Sequence, residues 1–142
     1  MRLGVFICHC GSNIAGTVDV AQVAKEAQEF PDVVYATDTL YACSEPGQEG
    51  ITQAIQDYNL DGVVVASCTP RMHEPTFQLA VERAGLNRYK FEMANIREHV
   101  SWVSKDKEAN TAKAVDLVHM AVEKLRQDRP LYSKTFDINK RV

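Results

Sequence analysis

Long apolar runs are missing from this 142-residue sequence. The longest, such as Leu3 to Cys8, are six residues at most, far short of the ~20 that a membrane-spanning helix needs. A leader peptide is not expected either. Arg2 precedes an apolar stretch, but it is short and runs into His9, Cys10 and Gly11 without a small-residue cleavage site. Charge of one sign is not in excess. Lys and Arg number 16 against 19 Asp and Glu, a formal net charge of -3, which argues against a strongly basic nucleic-acid binder. No low-complexity tract, like-charge block or long linker interrupts the chain. These absences point to one cytoplasmic domain of ordinary hydrophobic content, 45%, within the usual ~100–200 residues of a single domain. Such a domain buries about 70% of its extended-chain surface and folds without disulfides.

The common site signatures are also absent. There is no C-x-x-C redox pair, no pair of C-x₂₋₄-C zinc knuckles and no ferredoxin run C-x₂-C-x₂-C. Gly11 and Gly16 follow an apolar stretch but lack the G-x-G-x-x-G spacing, and no phosphate loop, G-x-S-x-G or carboxylate pair is present.

What is present is an alternation of periods. Arg2–Ile7, Val33–Thr39, Gly62–Ser67 and Arg88–Ala94 read as strands, and the valine run of the third suits a parallel strand buried on both faces. Val18–Phe30, Glu45–Tyr58, Glu74–Ala84 and Asp106–Gln127 carry helical stripes. Residues 95–103 read as loop or short helix, and the tail from Tyr132 to Val142 as a linker or edge strand. The order βαβαβαβα predicts an open, mostly parallel, doubly wound α/β sheet with helices on both faces.

Four cysteines are the chemical signal. Cys8 and Cys10 follow the first strand, Cys43 the second and Cys68 the third. Carboxyl ends of parallel strands share one edge, where ligands bind, so the four thiols are expected to converge. An extended Cys8–Cys10 segment sends both side chains to one face, and Gly11 permits a tight turn. Helices starting near Asp19, Glu45 and Glu74 aim their N-termini at that edge, which favours an anion. A four-iron cluster on four thiolates fits this description. Zinc, thiol–disulfide chemistry and plain packing of the cysteines stand as alternatives. His9, His73 and His99 are candidate ligands or proton relays, and Arg71 and Arg97 candidate counter-charges. His119 reads as helix surface. Met93 and Trp102 read as core.

The segments Val5–Gly11, Leu40–Gln48, Val63–Phe77 and Phe91–His99 closely resemble the N-terminal domain of the A-type subunits of heterodisulfide reductase. The resemblance covers nearly the whole chain. It implies an iron–sulfur flavoprotein oxidoreductase of anaerobic metabolism, in which a cluster-bearing module precedes a flavin domain. It assigns a [4Fe-4S] cluster to Cys8, Cys10, Cys43 and Cys68, which match its cysteine motifs. Residues 1–130 are then the iron–sulfur-binding domain and 131–142 a linker toward a flavin domain lying beyond Val142. The implied partners are that domain and sister subunits, with a homodimer left open. FAD belongs to the downstream domain, and this domain alone is expected neither to bind FAD nor to reduce a heterodisulfide. A metal-free docking module and a thiol or persulfide redox domain are the alternative functions.

Overall fold

A computed structural model describes residues 1–138. Four strands, β1 (Leu3–Cys8), β2 (Val33–Thr39), β3 (Gly62–Ser67) and β4 (Phe91–Asn95), form one sheet in the order β2-β1-β3-β4. Every pairing is parallel. The helices are α1 (Val20–Ala27), α2 (Glu45–Asp57), α3 (Pro70–Arg83) and α4 (Lys107–Gln127).

The period-two alternation of the strands builds two cores. Leu3, Val5 and Ile7 of β1, with Val64 and Ala66 of β3, pack under α1 and α4. Phe6 and Cys8, with Val63 and Val65, pack under α2 and α3. Both faces of β1 and β3 are therefore buried, as their unbroken apolar sequences require. The expected doubly wound α/β fold is the one observed.

Several boundaries differ. α3 starts at Pro70 rather than Glu74, because proline is well suited to the first helical position and Thr69 accepts the Arg71 N–H as N-cap. Pro75 sits inside this helix, where it removes one backbone donor. α1 is shorter than its apolar stripe: Val18 is buried but lies in the turn before the Asp19 cap. β4 starts at Phe91, since Asn87 binds the Tyr89 N–H and folds that segment into a turn. Residues Arg97–Ser101 form a single π-helical turn. From Arg129 to Ile138 no strand or helix forms, so the described part of the tail is not an edge strand. Residues 139–142 lie outside the described ones.

The register aligns the carboxyl ends. Cys8 stands opposite Thr39, and Ser67 opposite Asn95. β1 and β3 are the central pair, and the connections leave them in opposite directions. That is a topological switch point, where a crevice opens at the carboxyl edge.

Candidate functional site

Each strand delivers one part of the site as it ends. Cys8 is the last residue of β1 and points to the α2/α3 side, among the second core. The chain does not stay extended after it. Cys10 has φ +49° and Gly11 φ +59°, so Cys10 turns back to touch both cores instead of repeating the direction of Cys8. A Cβ on Gly11 would sit 2.6 Å from Tyr41 Oη. Only glycine meets the left-handed backbone and the close approach together. Cys43 lies between β2 and α2, next to the N-cap Ser44. Cys68 links β3 to the Thr69 cap of α3.

These four cysteines line one enclosed cavity of about 60 Å³, with Ser67, Tyr41, His73, Phe77 and Arg97 as the remaining walls. None is in a disulfide. Cys8 and Cys68 are buried, while Cys10 and Cys43 are half-buried. Backbone donors are aimed at sulfur: Cys10 N–H lies 3.3 Å and Ala42 N–H 3.4 Å from Cys8 Sγ. Arg97 Nη1 donates to Cys10 Sγ at 3.2 Å.

Burial pushes the Cys8 thiol above the ordinary thiol value of 9.0, although the two backbone N–H groups pull it down. Burial likewise raises Cys68, opposed by the positive charge of Arg97. For Arg97, burial works against the charged form, but hydrogen bonds to Glu98 and Cys10 outweigh it and raise its pKa. Arg97 is therefore a fixed cation at the cavity wall.

Among the described residues, no three His, Cys, Asp or Glu side chains stand close enough to hold a single metal ion. A mononuclear zinc needs its sulfurs ~2.3 Å from one point. A multi-iron cluster is ligated at separate corners and asks for thiols around a space. Four thiols lining one cavity suit that second requirement. A second observation concerns Ser67: among the described residues its hydroxyl is buried without a well-formed hydrogen-bond partner, with only the Cys68 thiol beside it at the same wall. A buried unpaired hydroxyl costs roughly 1–3 kcal/mol, and cluster sulfur is an acceptor that would relieve it. The cavity holds only about two waters' volume, so a larger group requires Tyr41, nearly half exposed, and its neighbours to move outward.

The other candidates divide. His73 lines the cavity. His9 does not; its Nε2 is engaged 2.6 Å from Asp38. His99 faces a different groove, with Glu92 and Lys124, and its carbonyl accepts from Lys113. Arg71 lies at the start of α3 and is not among the walls. His119 stacks on Phe30 at the surface, as expected. Met93 is core, but Trp102 is 59% exposed, because its ring covers the Arg97 guanidinium instead of the sheet. Ser67 and Tyr41 were not legible as wall residues; their one signal is that each stands within two positions of a cysteine.

No family model matches the chain. Curated relatives do. It is 56% identical over 141 residues to the second iron-sulfur A-type subunit of the CoB–CoM heterodisulfide reductase of Methanopyrus kandleri, covering 99% of this chain and 22% of that protein. The A-type subunit of the H₂:CoB-CoM heterodisulfide,ferredoxin reductase of Methanothermobacter marburgensis is 51% identical, with 97% of this chain and 21% of that one covered. The chain is homologous to one domain of the A-type subunit of heterodisulfide reductase. It spans about a fifth of the length of the curated relatives it matches. A protein of Archaeoglobus profundus that is named as similar to the same subunit matches at 50% identity, again over 99% of this chain. No helix of the described residues is long and apolar enough to cross a membrane.

Proposed function

We propose that this domain of a heterodisulfide reductase A-type subunit holds one [4Fe-4S] cluster on Cys8, Cys10, Cys43 and Cys68. It relays single electrons between a flavin domain and the clusters of sister subunits. The observation that carries the reading is the gathering of all four cysteines, from three different strand ends, around one cavity. When bound, such a cluster supplies one-electron transfer, and the protein sets its position and potential. The chain's own residues have separable parts. Backbone N–H groups of Cys10 and Ala42 solvate the Cys8 sulfur. Phe77, 1% exposed, backs the cavity with apolar surface. Tyr41 and His73 wall it from solvent.

The relatives' names include the words iron-sulfur and ferredoxin reductase, which supports an electron-transfer role. On this reading residues 1–130 are an N-terminal cluster domain, 131–142 lead to the flavin domain, and FAD resides there. The partners are that domain and the sister subunits, in the cytoplasm. A thiol or persulfide enzyme requires a reactive, accessible thiolate, and Cys8 and Cys68 are buried.

The test is anaerobic reconstitution of single Cys→Ala variants followed by iron analysis. Each variant is expected to lose most of its bound iron. Full iron in the Cys43→Ala variant contradicts the four-ligand assignment.

A further inference from the structure

Arg97 is held on three sides just beyond β4. Its Nε and Nη2 both donate to Glu98 Oε1, at 3.2 and 2.8 Å. Its Cζ lies 4.7 Å from the centre of the Trp102 ring, and Nη2 reaches Met72 Sδ at 3.5 Å. Nη1 is left for Cys10 Sγ. Glu98 is fixed as well: its backbone N–H donates to Asn95 Oδ1 at the end of β4. The side chains of Arg97 and Glu98 are only 13% and 24% exposed, so their charges are poorly screened. Among the described residues Glu98 Oε2 is buried with no hydrogen-bond partner. No second donor among them offsets that carboxylate, and its charge falls first on Arg97.

We propose that Arg97 and Glu98 are a paired positioning device that sets the reduction potential of the cluster bound at the cysteines, Arg97 raising it through Cys10 Sγ and Glu98 holding that rise in check. The inference rests on the cluster reading above. Reduction adds one electron, and no proton, to an already anionic group. A hydrogen bond and a positive charge at the ligand sulfur stabilise the reduced form, and a nearby carboxylate opposes it. A lone buried guanidinium would raise the potential without limit from its neighbour; the pair fixes an intermediate value. The arrangement is also rigid, because Trp102 and Asn95 hold the two partners from opposite ends.

The experiment is a redox titration, with dithionite as the electron source, of the reconstituted chain and of Arg97→Gln, Arg97→Lys and Glu98→Gln. Iron and sulfide are measured on every sample. Arg97→Gln is expected to keep its iron and make reduction about tenfold less favourable, a shift of ~59 mV downward for a one-electron couple. Arg97→Lys recovers most of that shift. Glu98→Gln moves the potential upward. Shifts of the same sign in the Gln variants, or none in either, overturn the proposal. If Arg97→Gln loses iron, Glu98→Gln decides alone: an upward shift supports the pair and any other result overturns it. A wild-type chain that binds no iron defeats the cluster reading itself, before any variant is titrated.

Discussion

Asp32 illustrates what one side chain contributes and how it is tested. It takes φ +66°, a left-handed turn that aspartate tolerates better than most residues. Its carboxylate accepts from Arg126 Nε at 2.8 Å and lies 3.7 Å from the N-terminal ammonium. The Arg126 hydrogen bond holds its pKa below the ordinary 3.8. A depressed carboxylate contributes stability that is present above its unfolded pKa and lost as the pH falls through its folded value. Asp32→Asn keeps the turn and removes the charge. It is expected to lower the urea midpoint at neutral pH, and the difference from wild type should shrink toward zero as the pH falls below the ordinary carboxylate range. An equal difference at both pH values would contradict this. Phe77 tests the cavity's apolar backing at the same scale. Phe77→Ala should cost about 3–5 kcal/mol in denaturant titration, and an unchanged midpoint would show that the wall is dispensable. Residues of this kind were only partly legible. Phe77 stood out by its helical stripe, whereas Ser67 ends an apolar strand with nothing in the sequence to say that its hydroxyl faces a cavity.

At the scale of elements, the strands and helices were legible because their periods are strong, and their ends were less so. The Cys43 loop shows how tightly an end can be set. Gly47, in the first turn of α2, leaves no room for a Cβ against the Tyr41 and Ala42 carbonyls. Its N–H binds the Ser44 cap at 3.2 Å. Gly47→Ala forces that loop outward and is expected to cost about 1–3 kcal/mol, read as a lower thermal midpoint, with no change if the loop is slack. The far end of α4 has its own anchor. Buried Lys90 donates to the Leu125 carbonyl at 3.2 Å and the Asp128 carbonyl at 2.9 Å. Lys90→Met keeps the stem and loses both bonds, at about 1.5–3 kcal/mol; a variant as stable as wild type would remove Lys90 from the account of α4. The turn at Arg97–Ser101 falls within the segment read as loop or short helix, but its π-helical form had no sequence signal; Ser101 is held there by Thr17 and Asn13, far away in the chain.

Across the whole molecule, the sheet order does what no local pattern reveals. Cysteines at strand ends can be read from a sequence once the strand ends are read, and the four of them do line one cavity. That Arg97 sits on Cys10, 87 positions away, depends on β4 lying beside β3 and on the turn that follows it. Trp102 misled for the same reason: a large aromatic suggests core, and this one serves as a cover over the Arg97 guanidinium. On the proposed reading the carboxyl edge of this sheet is a cluster site. The cluster site is tested most directly by iron and acid-labile sulfide analysis, with a visible spectrum, on protein purified and reconstituted without oxygen. About four of each per chain are expected, as a [4Fe-4S] cluster requires, with a visible band that bleaches with dithionite. Stoichiometric zinc without sulfide, or neither metal after reconstitution, would contradict the reading.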